Sequence, residues 1–228
     1  AAQAGADSIL VTDGHWNSTN ILIEELDARA ILNSGSPSHY SMVAGVDAGV
    51  DAAFFIGYHA RMGTEKAILD HTWSSSRVKN LWINGKLAGE SGLNGALCGA
   101  FGVPVVLVSG DQAVCAEAGE WMPGIETVQV KRALGRHAAE CLSVKTSHGL
   151  IEHGARKAVQ SFLAGQAARP LVVETPVTIG IEFIYSDMAD RASLLAGTKR
   201  AGSKIEMVCA DMPAAYLAFR AAVGLANR

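Results

Sequence analysis

The sequence predicts an α/β protein with a mostly parallel sheet, flanking helices and a smaller C-terminal α+β part. Short apolar runs typical of buried strands alternate with helical patterns in residues 1–135. Residues 136–228 hold a long amphipathic helix, two alternating strands and an Ala-rich closing helix. Apolar residues make up 49% of the 228 residues, which is enough for a sizeable core. We therefore expect an α/β domain over residues 1–135 and an α+β subdomain over residues 136–228.

The composition excludes several classes of protein. Nineteen basic residues stand against 22 acidic ones, for a net charge of −3, so the chain lacks the basic stripe of a nucleic-acid binder. No apolar run reaches the ~18–20 residues that a membrane span needs. The four cysteines form no C-x-x-C pair, which argues against a zinc knuckle or a redox dithiol. We therefore expect a cytoplasmic protein without a nucleic-acid or membrane partner.

The first part of the chain alternates strands with turns and short helices. Gly5 ends a helical turn at the N-terminus, and the apolar run of residues 8–12 then predicts a buried strand. The polar residues 17–20 are suited to cap a short helix over residues 21–26. Further strands are predicted at residues 30–32 and 52–56, with a helical turn at residues 42–44.

The middle of the chain carries the clearest turn signal. Residues 61–77 have weak periodicity and predict mostly loop with one short helix. The pair Asn84-Gly85 suits a type I′ turn and therefore predicts a hairpin. The hairpin strands cover residues 81–83 and 86–88, and a helix from Gly89, a strand at residues 103–108, a helix at 113–121 and a strand at 128–130 follow.

The last part of the chain combines long helices with alternating strands. Apolar residues from Ile151 to Leu163 recur at helical spacing and predict a helix over residues 148–163. Residues 170–176 are interpreted as a linker or a strand. Two more strands are predicted at residues 177–183 and 205–209, followed by the closing helix at residues 213–225.

Histidines and carboxylates follow the buried strands. His15 and His59 each lie a few residues beyond such a strand, as do Asp13 and Asp111, and Glu90 lies at the start of a helix. The carboxyl ends of parallel strands meet at one edge of a sheet, where open α/β proteins bind their ligands. Two imidazoles and a carboxylate suit Zn²⁺ or a similar metal. The same residues also have simpler interpretations, as loop hydrogen bonders or, for Glu90, as a carboxylate favoured by the helix dipole.

Other candidate motifs are weaker. The sequence contains no G-x-S-x-G elbow, no G-x-G-x-x-G after a strand and no P-loop, so nothing indicates a hydrolase serine or a nucleotide site. We expect a loop position for His39 and a buried position for Cys98. Solvated positions are expected for His137, His148 and His153.

Five segments together resemble one family. They are Val11-Thr12-Asp13-Gly14-His15, Gly57-Tyr58-His59-Ala60-Arg61, Leu69-Asp70-His71-Thr72, Gly89-Glu90-Ser91-Gly92-Leu93-Asn94 and the strand from Val103 to Asp111. The set resembles the zinc-dependent D-aminopeptidases of the bacillar dipeptide-transport-operon type, peptidase family M55. The resemblance extends over nearly the whole chain.

The resemblance implies a site and an assembly. His15, His59 and Glu90 would be among the ligands of two zinc ions per subunit, and His71 would act at the scissile bond. The family assembles into a ring-shaped decamer whose internal chamber admits short peptides only. Asn94 would hydrogen-bond the substrate, or alternatively make a helix or turn contact. Asp13 would orient His15, and Arg61 would bind a peptide carboxylate or have a structural role.

One part of the family pattern has no counterpart in this sequence. The family begins with an Asp-x-Glu-Gly motif on its first strand, and both acidic residues help to hold the metals. We expect either that this first strand and its helix, roughly 30–40 residues, are missing, or that the chain is part of a longer protein. The ligand set within the 228 residues is accordingly partial, and weak metal binding is expected.

The resemblance leads to a functional prediction with two alternatives. We expect a zinc-dependent aminopeptidase that hydrolyses short peptides, including peptides with D-amino acids. One alternative is a non-catalytic oligomeric scaffold, or an incomplete metal-binding module, derived from the same family. Another is a different amidohydrolase on the same fold. For His71 the roles of general base, general acid and nucleophile all remain open.

Overall fold

The structure is a computed structural model that describes residues 1–227. The described residues form eleven strands and five α-helices. The strands are β1 (Ile9–Thr12), β2 (Ala30–Asn33), β3 (Ala53–Phe55), β4 (Val78–Ile83), β5 (Lys86–Ala88), β6 (Val105–Asp111), β7 (Glu126–Gly135), β8 (Ala138–Cys141), β9 (Val177–Phe183), β10 (Lys199–Ala201) and β11 (Lys204–Cys209). The helices are α1 (Glu90–Ala100), α2 (Gln112–Trp121), α3 (Val144–Leu163), α4 (Ser186–Ala192) and α5 (Met212–Leu225).

The parallel strands form two sheets in the described part of the chain. β1 and β2 pair in parallel as a two-stranded sheet. A four-stranded sheet has the order β3-β6-β7-β8, in which β3, β6 and β7 are parallel and β8 is antiparallel. Helix α3 packs on β6 and β7. The α/β class that the sequence predicts is confirmed.

The third sheet is antiparallel and joins the two parts of the chain. Its order is β10-β11-β9-β4-β5, so β4 pairs with β9, from Val78 opposite Phe183 to Ile83 opposite Ile179, which brings the hairpin against a strand from the last part of the chain. The division near residue 135 stays a prediction, and this sheet contains strands from both sides of it. Helices α4 and α5 cover the sheet, and α1 packs against α5 and α2. The largest fully buried side chains are concentrated here, among them Tyr216, Phe183, Phe219, Leu81 and Ile181.

Several local predictions are confirmed and others are wrong. Asn84 and Gly85 both have positive φ, as the type I′ hairpin requires. The short helix predicted over residues 21–26 is only a three-residue 3₁₀ turn, Ile23–Glu25. Residues 61–77 contain no helix, and β8, β10 and α4 were not predicted. No helix in residues 1–227 is long and apolar enough to cross a membrane.

Two loops carry the histidines of interest. We call residues 57–73 the histidine loop, because it holds His59 and His71, and residues 13–20 the His15 loop. The histidine loop begins where β3 ends, and β6, which ends at Asp111, is the parallel neighbour of β3. The start of the histidine loop therefore lies beside the carboxyl end of β6.

Candidate metal centre

The structure brings three of the predicted site residues together. The imidazole rings of His59 and His71 lie 5.1 Å apart between centroids. His71 Nε2 lies 3.3 Å from Glu90 Oε1. Glu90 is the first residue of α1, while both histidines belong to the histidine loop. His71 therefore has His59 on one side and Glu90 on the other, and we call these three residues the His59–His71–Glu90 cluster.

The His71–Glu90 contact is chemically unusual. His71 Nδ1 lies 2.7 Å from the carbonyl oxygen of Leu69, and because a carbonyl only accepts, Nδ1 carries a proton. In the neutral ring, Nε2 therefore presents a lone pair toward a carboxylate oxygen. Two acceptors at 3.3 Å repel each other, and a proton or another cation between them would remove that repulsion.

Glu90 is held in place although it is buried. Its side chain is 6% exposed, and its Oε1 accepts a hydrogen bond of 2.7 Å from the backbone N–H of Trp73. Burial raises the pKa of Glu90, whereas positive charge on His71 and His15 acts in the opposite direction. Glu90 is thus a carboxylate that gains from a nearby cation.

The ring of His59 is oriented by a hydrogen bond to the backbone. Its Nδ1 donates to the carbonyl oxygen of Ile68 at 3.1 Å, which leaves the Nε2 lone pair free. Burial lowers the pKa of His59, and the neighbouring His71 lowers it further. A neutral imidazole with a free nitrogen is the form in which histidine binds a metal.

His15 lies in a different environment. It is exposed, and the loop around it is held mainly by Asp13. The Asp13 carboxylate accepts backbone N–H bonds from His15, Asn20 and Ile21, so it orients the backbone of His15 and contacts no atom of its ring. Burial alone would raise the pKa of Asp13, but the hydrogen bond from the Asn20 side-chain amide and these three backbone hydrogen bonds together lower it.

The backbone of the histidine loop donates to buried carboxylates. The N–H of Ile68 donates to Asp111 at 2.7 Å and that of Arg61 to Glu117 at 2.8 Å. The N–H of Gly63 donates to Asp70 at 2.6 Å. Sequence reasoning noted the position of Asp111 after a strand but missed Glu117, which sits in α2 without any local signal.

The remaining predicted residues have clear contacts. Asn94 is fully buried, and its amide donates to the Tyr58 hydroxyl at 2.9 Å and accepts from Tyr216 at 3.1 Å. The Arg61 guanidinium lies 3.7 Å from Glu117. Cys98 is buried, as expected. His39, His137, His148 and His153 are exposed, and the solvated positions expected for the last three are confirmed.

Zinc can be tested against these residues. The nitrogen and carboxylate ligands are of the type that zinc prefers, and His59 has the second-nitrogen hydrogen bond typical of zinc-binding histidines. Within residues 1–227, however, no three His, Cys, Asp or Glu side chains come together as a complete metal-binding group. The described residues therefore fit zinc in their chemistry and would provide part of its ligand set.

The fold and this cluster define a class, that of α/β proteins with two histidines and a buried carboxylate beside the carboxyl end of a parallel strand. Comparison with known proteins narrows the class to a family. The model of peptidase family M55, described as D-aminopeptidase, matches residues 1–221. The chain belongs to this family, whose characterised relatives are hydrolases acting on peptide bonds.

Individual relatives agree with this result. A D-aminopeptidase of Bacillus subtilis strain 168 is 33% identical over 230 aligned positions, which cover 100% of this chain and 82% of the relative. A solved structure from Bacillus subtilis, described as the Zn-dependent D-aminopeptidase DppA, a self-compartmentalizing protease, has a TM-score of 0.92. It is 32% identical, and the match covers 99% of this chain and 81% of that one.

Proposed function

We propose that this protein is a zinc-dependent aminopeptidase that releases N-terminal residues from short peptides, including peptides with D-amino acids. The observation that carries the proposal is the contact of His71 Nε2 with the buried Glu90, next to His59. The membership of the chain in the D-aminopeptidase family and the zinc dependence stated for DppA support it.

Each residue of the cluster has a proposed role. His59 and Glu90, together with His15, would hold zinc, which polarises a carbonyl and lowers the pKa of bound water when it is present. His71 acts at the scissile bond through Nε2, because Nδ1 is occupied by the Leu69 carbonyl. Proton transfer and nucleophilic attack both use the same lone pair on Nε2.

The substrate contacts are also proposals. Arg61, which is partly exposed beside Glu117, is suited to bind the carboxylate of a short peptide. The substrate role of Asn94 stays a prediction, since its amide is bonded to Tyr58 and Tyr216 in this structure. The family description favours substrates with a D-residue at the N-terminus.

We further propose a homo-oligomeric ring, a decamer, in the cytoplasm. The self-compartmentalizing assembly stated for DppA supports the ring, which would restrict access to short peptides. The four cysteines are free thiols, which agrees with a reducing compartment. Size-exclusion chromatography with light scattering measures the assembly directly.

The test compares metal content and hydrolysis in matched variants. Purified protein is incubated with zinc, its metal is counted, and release of the N-terminal residue is followed for D-alanyl and L-alanyl dipeptides side by side. We expect zinc-dependent hydrolysis that falls at least ~100-fold in His71→Ala. His153→Ala is the control, because His153 is exposed on α3, and it should keep full activity. Hydrolysis that is unchanged in His71→Ala would refute the proposal.

One observation favours a second candidate, a non-catalytic scaffold or incomplete metal-binding module. No three potential ligands form a complete group in the described residues. The same experiment separates the two functions. About two zinc ions per chain with hydrolysis excludes the scaffold, whereas a folded oligomer without zinc or hydrolysis supports it.

A further inference from the structure

The position of the His59 ring depends on a residue outside the sheets and helices. The ring is aimed by its hydrogen bond to the Ile68 carbonyl, and Ile68 lies in the histidine loop, where no strand or helix holds the backbone. Two contacts fix Ile68 instead. Its own N–H donates to Asp111 Oδ2 at 2.7 Å, and the next N–H, of Leu69, donates to the Arg136 carbonyl at 2.8 Å.

Asp111 is well placed to act as an anchor. It is 1% exposed, and it is the last residue of β6, a strand with neighbours on both sides. Its Oδ1 accepts the Val114 N–H at 2.9 Å and so caps α2, while its Oδ2 accepts from Ile68. Both oxygens are therefore engaged, one in the fixed framework and one in the loop.

We propose that Asp111 is a positioning residue for His59. Through Ile68 it holds the carbonyl that keeps the proton of His59 on Nδ1 and turns the Nε2 lone pair outward. The proposal rests on the proposed function, in which that lone pair binds zinc. It adds an aspartate that contacts neither metal nor substrate and acts only through the loop.

Two other carboxylates that accept loop N–H groups lack this connection. Glu117 holds the N–H of Arg61, and Asp70 holds the N–H of Gly63. Neither Arg61 nor Gly63 offers its carbonyl to an imidazole ring; the Arg61 carbonyl accepts from Thr64. Glu117 therefore provides a matched control: it is also a buried carboxylate that binds a loop amide, but without a link to the orientation of a histidine.

The decisive variant is Asp111→Asn. Asparagine is a good N-cap, so the cap of α2 is retained. Its side chain has a single acceptor oxygen, however, and the amide group that replaces the second oxygen faces the N–H of Ile68, donor against donor. The hydrogen bond to Ile68 is lost while the shape of the side chain is kept.

The first readout is the tautomer of His59 in the metal-free full-length chain. Solid-state ¹⁵N NMR of histidine-labelled protein reports it regardless of particle size, and His59→Gln assigns the signal. We expect a proton on Nδ1 in the unsubstituted protein and in Glu117→Gln, and a mixture of tautomers in Asp111→Asn. An unchanged tautomer in Asp111→Asn overturns the proposal, whatever the zinc measurements show.

The second readout is zinc affinity, measured by competition with a chelator. We expect a 10- to 100-fold loss in Asp111→Asn, roughly the effect of removing an outer contact of a metal ligand, and a smaller loss in Glu117→Gln. Equal losses in both variants would contradict a specific role of Asp111. Absence of zinc binding in the unsubstituted protein refutes the proposed function, while the tautomer still tests the positioning role.

Circular dichroism checks that each variant folds. If Asp111→Asn does not fold, Asp111→Ser replaces it, because serine also caps a helix and likewise removes the oxygen that binds Ile68. The same tautomer comparison then applies, with the same outcome required.

Discussion

The histidine loop and the His15 loop both follow a strand and both carry predicted zinc ligands, but they are held differently. The histidine loop donates backbone N–H groups to Asp111, Glu117, Asp70 and Glu90, which lie in other elements or in the loop itself. In the described residues, the His15 loop donates its N–H groups to one carboxylate, that of Asp13, and His15 is exposed.

This difference shows which side chains of the candidate centre are held in position by the protein itself. A carboxylate that is buried and bonded to amides fixes a backbone even without regular secondary structure. The rings of His59 and His71 and the Glu90 carboxylate are therefore pre-organised, whereas the hydrogen bonds of His15 within the described residues hold its backbone and not its ring. The next three predictions test this contrast, each with a matched pair of substitutions.

The largest effect is expected from a matched pair of glycines. A Cβ on Gly110 would come within 2.5 Å of the Tyr58 carbonyl oxygen and 2.3 Å of a Val114 methyl group, at the start of the histidine loop. The three atoms nearest to a Cβ on Gly14 all belong to the Met42 side chain, at 3.5 to 3.6 Å, which is ordinary van der Waals contact. We expect Gly110→Ala to lower the free energy of unfolding by about 3 kcal/mol because backbone atoms must move.

Gly14→Ala is the control and should change the free energy of unfolding by less than ~0.5 kcal/mol. Urea denaturation of both variants measures the difference. Similar losses in the two variants would show that an added methyl group is tolerated equally well beside both loops. That result would contradict a tightly held histidine loop and a loosely held His15 loop.

A smaller effect is expected at the ion pair that supports Asp70. Arg136 Nε lies 3.1 Å from Asp70, whose side chain is 10% exposed, so removing the arginine leaves a nearly buried charge with fewer partners. We expect Arg136→Ala to cost about 1–2 kcal/mol. The matched control is Arg132→Ala, because Arg132 and Glu140 pair on the exposed surface, where water and salt screen the charges, and it should cost clearly less than Arg136→Ala. Thermal unfolding of both variants measures the two losses in the free energy of unfolding. A loss in Arg136→Ala that is no greater than the loss in the control would contradict the role of Asp70 in supporting the histidine loop.

The sequence predicts many of the strands, turns and helices on which the two loops are mounted. The apolar run that ends at Asp111 and the turn at Asn84-Gly85 are local signals, because burial and a positive φ leave their mark on the residues concerned. The beginning of α1 at Glu90 is likewise predicted from its neighbours. Each of these features depends on residues that are neighbours in the sequence, and for that reason it can be predicted.

The contacts that hold the site are not predicted in this way. Glu117 is an ordinary helix residue in the sequence, and only the fold shows that it reaches Ser91 and the Arg61 amide. The pairing of β4 with β9 has no local signal either, because the alternation of apolar and polar residues predicts a strand but does not identify the strand with which it pairs. His15 and His59 look equivalent in the sequence, because each follows a buried strand. Tertiary packing, however, partly buries His59 and leaves His15 exposed.

The smallest effect is expected within the His15 loop itself. The Asn20 side chain donates to Asp13 at 3.1 Å and to the His15 carbonyl at 2.6 Å, while Asp13 keeps its three backbone donors when that side chain is removed. We expect Asn20→Ala to lower the free energy of unfolding by about 0.5–1 kcal/mol in urea denaturation. Asn17→Ala is the control, because the Asn17 side chain accepts a hydrogen bond from the exposed Thr19 hydroxyl, and it should leave the stability almost unchanged.

Hydrogen exchange tests the separation of the two loops. Exchange should quicken at residues 14–20 in Asn20→Ala and stay unchanged in the histidine loop. Faster exchange in both loops would mean that they are coupled, and the separation of the site into a pre-organised and a loosely held part would then have to be abandoned.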